Sequence, residues 1–348
     1  MNNKKLRLVI ILLAITTLTY SVTATAKKGT KARKSEKAIT KPETPVLWRS
    51  PSDIQSRNLF FGPGGKEDAP HTVFTFIKED LDGTNPKFDV EDENGTKWKV
   101  KLGAEARPET VASRLVWAVG YSTNEDYFLP LLRVEKMPAH LHRGQNLVGP
   151  EGTLRNVRLK RYLKGEKKVG DWQWRSNAFT STRELNGLRV MMALINNWDL
   201  KDQNNSVYEE KHPEGSDSPE QVYMISDLGA SFGTTGRSWT HAGSKGNLKA
   251  FSHSRFISKV TAQYVDFKVP TRPALIYIFS PGEFTSRLGL RWIGKRIPRD
   301  DVRWMGQLLA QLSPEQVRDA FRAAGYPPEE VEGFAKVVER RIVQLNKL

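Results

Sequence analysis

Hydrophobic and polar positions alternate early in the chain and recur at helical spacing later. Thr72-Val73-Phe74-Thr75-Phe76-Ile77 alternates and is rich in β-formers. Asp82-Gly83-Thr84-Asn85-Pro86 supplies turn chemistry, Phe88 to Glu91 a second strand, Glu93-Asn94-Gly95 a second turn, and Trp98-Lys99-Val100-Lys101-Leu102 a third strand. The pattern predicts an antiparallel meander. A helix follows: Pro108 and Glu109 mark its start, Val111, Leu115, Ala118 and Val119 share a face, and Gly120 ends it. Residues 127–174 read as further strand plus connector. From Leu185 the pattern is helical again, with Gly187 blurring the start. Beyond about residue 252 the chain is expected to be largely helical, with starts at Pro281, Pro314 and Pro328. Strands first and helices later predict an α+β fold with segregated layers or lobes.

Before any of this lies a different kind of sequence. Lys4, Lys5 and Arg7 precede an apolar run from Leu8 to Leu18, and Ala24-Thr25-Ala26 follows with small residues, which predicts a signal peptide over 1–26 and an exported, periplasmic or extracellular protein. The chain contains no Cys, which excludes disulfides and thiolate metal sites. Of the formal charge of +15, residues 1–26 carry +3 and residues 27–41 carry +6, leaving +6 for the remainder. Residues 27–45 are therefore expected to be a basic, solvated linker, with 27–41 able to touch an anionic envelope surface. No helix with interleaved aromatics supports specific nucleic-acid binding.

The chemistry-bearing residues cluster after the second helix. Asp199-Leu200-Lys201-Asp202-Gln203-Asn204 is polar and abrupt; two β-like segments follow, Ser206–Tyr208 and Gln221–Ile225, and the second runs into Ser226-Asp227-Leu228-Gly229. A carboxylate beside an attacking hydroxyl, with Asn and Asp oxygens for a hard cation, is what phosphoryl transfer requires. Other signals are weaker. His140 and His142 lack a third ligand, and Trp172 and Trp174 read as packing rather than a sugar platform. Gly-x-Ser-x-Gly, His-Glu-x-x-His and Walker segments are absent.

The segment Asp199–Asn204 resembles the D-L-K-P-x-N catalytic loop of protein kinases, and Asp227-Leu228-Gly229 resembles their metal-binding D-F-G. Trp98–Lys101 is similar to the V-A-I-K strand, and the helix at Glu109 to αC with its acidic partner. The resemblance spans residues 72–233, and atypical members are the nearest comparison, HipA-like kinases and the secretory-pathway kinases of animals. It implies a two-lobed protein-kinase-like fold, with an N-lobe (46–165) of antiparallel sheet plus one helix and a mainly helical C-lobe (166–348). It further implies ATP with Mg or Mn as cofactor, Asp199 and Lys201 in catalysis, Lys101, Glu109 and Gly83 around the nucleotide, and Asn204 and Asp227 on the metal. The acceptor hydroxyl, on a protein, sugar or lipid, is not readable. Lys99 lies on the same strand face as Lys101, and Glu105 is an alternative to Glu109.

The departures are specific. Asn197-Trp198 stands where kinases carry His-Arg, no A-P-E segment follows Asp227, and the turn between the first two strands offers only Gly83, while Gly62-Pro63-Gly64-Gly65 lies before the first strand. They keep open a pseudokinase-type protein that binds a nucleotide or partner without catalysis, a nucleotidyl transferase on the same fold, and a structural envelope protein.

Overall fold

The computed structural model describes residues 44–348, except 84, 211–218, 235–243, 270–281, 283–284 and 286–287. The expected signal peptide, nearly all of the basic linker and the helix start at Pro281 fall outside the described residues. No described helix is long and apolar enough to cross a membrane.

The architecture is mixed α and β. Strand β1 (Thr44–Val46) comes first, then β2 (Val73–Asp80), β3 (Lys87–Asp92) and β4 (Lys97–Lys101), helix α1 (Ala106–Ala118), and β5 (Asp126–Glu135) and β6 (Thr153–Arg161). Strands β2, β3, β4, β6 and β5 close into a barrel in that order. The antiparallel meander is present in β2–β4, but the sheet is not an open antiparallel one. Val73–Thr75 of β2 pairs in parallel with Arg133–Glu135 of β5, and that ladder closes the ring. Alternation explains the interior: Phe74, Phe88, Val90, Trp98, Val100 and Leu159 are almost wholly buried in a core of their own.

Beyond the barrel lie β7 (Lys167–Gly170), α2 (Arg183–Leu194), β8 (Asn205–Glu210) and β9 (Glu220–Ile225). These three strands form a sheet in the order β1-β9-β8-β7, so the first strand joins this sheet and not the barrel. Helix α2 starts earlier than the apolar pattern indicates, because the Thr182 hydroxyl accepts from the Leu185 N–H at 3.3 Å and caps it. Gly187 within α2 has a packing reason. A Cβ there would stand 2.6 Å from the Trp304 ring and from the Tyr121 hydroxyl.

Next come α3 (Leu248–His253), β10 (Ile257–Val260), β11 (Tyr264–Phe267), β12 (Ile297–Pro298), α4 (Arg299–Leu309), α5 (Pro314–Ala323) and α6 (Pro328–Asn346). The small antiparallel sheet β10-β11-β12 corrects the expectation of a purely helical remainder. Its strands are only two to four residues long, too short to outweigh the helical periodicity around them. The starts at Pro314 and Pro328 are as expected, and Ser313 and Gln316 form a reciprocal capping box. Helix α1 contributes Val111, Ala112, Leu115 and Val116 to the large core shared with α2 and α4–α6, not to the barrel interior.

Candidate functional site

Lys101 ends strand β4 and is 6% exposed. Its Nζ lies 2.7 Å from Glu109 Oε2, 3.1 Å from Glu105 Oε2 and 3.3 Å from Asp227 Oδ1. The strand places it there: β4 pairs with β6 so that Lys101 sits opposite Arg158. Arg158 donates to Glu109 Oε1 at 2.9 Å and lies 3.3 Å from Asp126. Lys245 donates to the other oxygen of Glu105. Four carboxylates thus face three cations, a surplus of one negative charge in a buried setting.

The protonation equilibria follow from that arrangement. Burial would lower the Lys101 pKa, but Asp227, Glu109 and Glu105 outweigh it and hold the ammonium above the ordinary lysine value. Burial pushes Glu109 up to about 7, against the pull of Arg158 and Lys101. Burial also acts upward on Asp227, yet Lys101 and the Gly229 amide, 3.2 Å from Oδ1, keep it below the usual carboxylate range.

The choice between neighbouring candidates is settled by contact. Lys99 does not reach this cluster; it is drawn to Asp80 and lies 3.8 Å from Asp89. Glu109 and Glu105 both contact Lys101, so the alternative acid is a second partner and not a substitute. Sequence reasoning missed Arg158, Asp126 and Lys245, single charged residues with no local pattern to mark them.

A cleft of about 640 Å³ opens between the barrel and the β7–β9 sheet. Lys101, Asp227, Asn204 and Gly83 all line it, as do Lys99, Lys160 and Tyr208. Asn204 is held in a 3-10 turn, Asp202–Asn204, and its amide nitrogen donates to the Asp199 carbonyl at 2.6 Å. Ser226 ties the two motifs together, because both its N–H and its hydroxyl donate to the Asn204 carbonyl, at 2.8 and 3.1 Å. Asp199 and Lys201 lie 3.8 Å apart at the base of this turn and are not among the residues lining the cleft. Gly83, with a left-handed φ of 64°, sits at the mouth, where a Cβ would meet nothing within 4 Å and its carbonyl accepts from Arg143. The Gly62–Gly65 run packs instead against Arg114, Tyr127 and Glu125.

Glu105, Glu109 and Asp227 offer oxygens within 4.8 Å of one another, a spacing that would suit a cation. Lys101 already stands among them, so its ammonium takes that place. A metal has better-suited ligands outside the triad. Both contacts of Asp227 use Oδ1, leaving Oδ2 uncommitted on a side chain 38% exposed, and Asn204 keeps its carbonyl oxygen. Two oxygen donors on one cleft, beside an ammonium, fit a hard divalent cation with phosphates.

The remaining candidates resolve as structure. Trp172 and Trp174 are 3% and 1% exposed and meet edge to face at 5.0 Å, so neither presents a sugar platform. His140 and His142 are exposed in a loop, with His142 paired to Glu79 at 3.0 Å.

Among solved structures, the chain is similar to the Helicobacter pylori proinflammatory kinase CtkA, at 12% identity over 80% of this chain and 97% of that one, with a TM-score of 0.39. It is also similar to the Golgi casein kinase, at 11% identity over 83% of this chain and 77% of that one, with a TM-score of 0.31. No protein-family model matches the sequence, and no curated protein matches it.

Proposed function

We propose that the chain is a two-lobed, kinase-like phosphotransferase that binds ATP with Mg or Mn in the cleft between barrel and lower sheet. The observation that carries this is the buried Lys101–Glu109 pair at 2.7 Å with Asp227 at 3.3 Å, contributed by a strand, a helix and a loop distant in sequence. An ammonium fixed by a buried acid is the part that orients nucleotide phosphates, and the Asp after the hairpin is the part that holds their metal. Asn204 and Asp227 would hold the cation, which supplies charge neutralisation on the transferred phosphoryl group. Asp199 would orient the acceptor hydroxyl and Lys201 would lie near the phosphate. Gly83 would border the phosphates from the β2–β3 turn. The acceptor is a protein, sugar or lipid hydroxyl, and export with a basic tether on an anionic surface belongs to the same proposal.

The test is thermal unfolding of the purified protein with ATP, with and without manganese, beside Asp227→Ala. A ligand that binds only the folded state raises the melting temperature by mass action. A manganese-dependent rise that disappears in Asp227→Ala supports the reading; no rise with a folded protein overturns it. Incubation with labelled ATP and intact-mass analysis then separates phosphoryl from nucleotidyl addition. Binding without any addition, across protein, sugar and lipid acceptors, identifies the pseudokinase alternative that Asn197-Trp198 keeps open.

A further inference from the structure

Glu105 is where three parts of the chain meet. Asn85 from the β2–β3 turn donates to its Oε2 at 2.7 Å, Lys101 from β4 donates to the same oxygen at 3.1 Å, and Lys245 donates to Oε1 across a sequence separation of 140 residues. Glu105 is 5% exposed, so these bonds are shielded from water. A shielded, charge-assisted bond holds geometry far better than a surface ion pair.

The short stretch carrying Lys245 is itself fixed. Trp198, standing where kinases carry Arg, donates its indole N–H to the Ser244 carbonyl at 2.8 Å, and Lys245 lies 5.8 Å over its ring. The N–H groups of Gly246 and Asn247 donate to the carbonyls of Ser231 and Phe232 at 2.9 and 2.8 Å. A Cβ on Gly246 would approach Pro108 of α1 to 3.4 Å, and one on Gly229 would come within 2.7 Å of Glu105. The chain therefore touches the start of α1 as it leaves the Asp227–Gly229 motif and again as it returns.

We infer that Lys245 is a positioning residue: as the counter-ion of Glu105, it latches the segment returning from the Asp227–Gly229 motif onto α1 and leaves Lys101 directed at Glu109 and Asp227. This rests on the nucleotide site proposed above, whose regulation it describes. A charge built into the chain then does the work of assembling the site, with no modification added. Without Lys245, Glu105 keeps one neutral donor, Asn85, and competes for Lys101 with the two carboxylates that need it.

The experiment compares Lys245→Met, Lys245→Arg, Glu105→Gln and the Lys245→Met/Glu105→Gln double variant in the full chain. Hydrogen exchange over residues 103–110 is read without nucleotide, and manganese-ATP affinity by calorimetry. Lys245→Met is expected to speed exchange at the start of α1 and weaken affinity about tenfold, equivalent to about 1.4 kcal/mol. Lys245→Arg should restore both, and Lys245→Met should add nothing in the Glu105→Gln background. Wild-type exchange in Lys245→Met, or independent, additive effects of the two substitutions, overturns the latch. Should the wild type bind no manganese-ATP, the proposed function fails on its own. The exchange arm still decides the latch, which stands if exchange rises and falls if it does not.

Discussion

Arg341 on α6 donates to the Leu194 carbonyl at 2.7 Å, and to that of Ala193 at 3.2 Å, so a residue near the end of the chain closes the C-terminus of α2. Those are the last carbonyls before the loop carrying Asn197 and Asp199, and helix ends need partners for them. The guanidinium also lies 4.1 Å from the Phe251 ring and donates to the Ser254 hydroxyl at 2.6 Å.

Arg341→Met, which keeps the apolar stem, should therefore cost about 1–3 kcal/mol by orphaning buried carbonyls. Denaturant unfolding with an unchanged slope checks the loss. Because the loop is launched from this helix end, the manganese-ATP melting shift should shrink as well.

Gly229→Ala tests the contact from the other side of the site. Its Cβ would stand 2.7 Å from Glu105 Cβ, with backbone on one side and a buried acid on the other. Overpacking of this kind costs about 1–3 kcal/mol. The expected outcome is a lower melting temperature without nucleotide and weaker manganese-ATP affinity, measured by calorimetry.

Lys101→Met should change how stability depends on pH. In the wild type, Asp227 and Glu105 sit below their ordinary values, so their contribution is present above the unfolded carboxylate pKa and is lost on acidification. Glu109 acts oppositely: raised to about 7, it favours the folded state below its unfolded value and loses that contribution as pH rises through about 7. Removing the ammonium raises all three acids, so the folded state takes up protons that the unfolded state does not. Melting curves should show the variant losing more stability against wild type at about pH 8 than at about pH 5.

Trp172 supports the motif strand. Its indole N–H donates to the Met224 carbonyl at 3.0 Å, and Asn205 donates to its own carbonyl at 3.0 Å. Trp172→Ala should cost about 3–5 kcal/mol, read by chemical denaturation. Trp172→Phe should retain most of the packing and lose only the bond to β9.

The parts of the site legible in the sequence were those set by local pattern. The strand ending in Lys101, the helix bearing Glu109, and the Asp199–Asn204 and Asp227–Gly229 segments each carry their own turn or strand signal. Arg158 and Lys245 carry none, because what makes them partners of Glu109 and Glu105 is register between β4 and β6 and the return of a loop. Barrel closure was hidden for the same reason. A parallel ladder between Val73–Thr75 and Arg133–Glu135 leaves no mark on either strand taken alone. The β10–β12 sheet is different: Tyr264-Val265-Asp266-Phe267 does alternate, but so briefly that the surrounding helical spacing masks it.

Ring closure bears on self-association. A closed barrel has no unpaired strand on which another chain could template itself, which leaves the four-stranded sheet, with β1 and β7 as its outer strands, to manage exposed ladders. Both are defended. β1 is three residues long with Pro45 at its centre, and β7 is exposed throughout and carries Lys167 and Lys168. Short length and missing donors on one flank, and like charge on the other, discourage strand addition, so the protein should withstand concentration without fibrous aggregation.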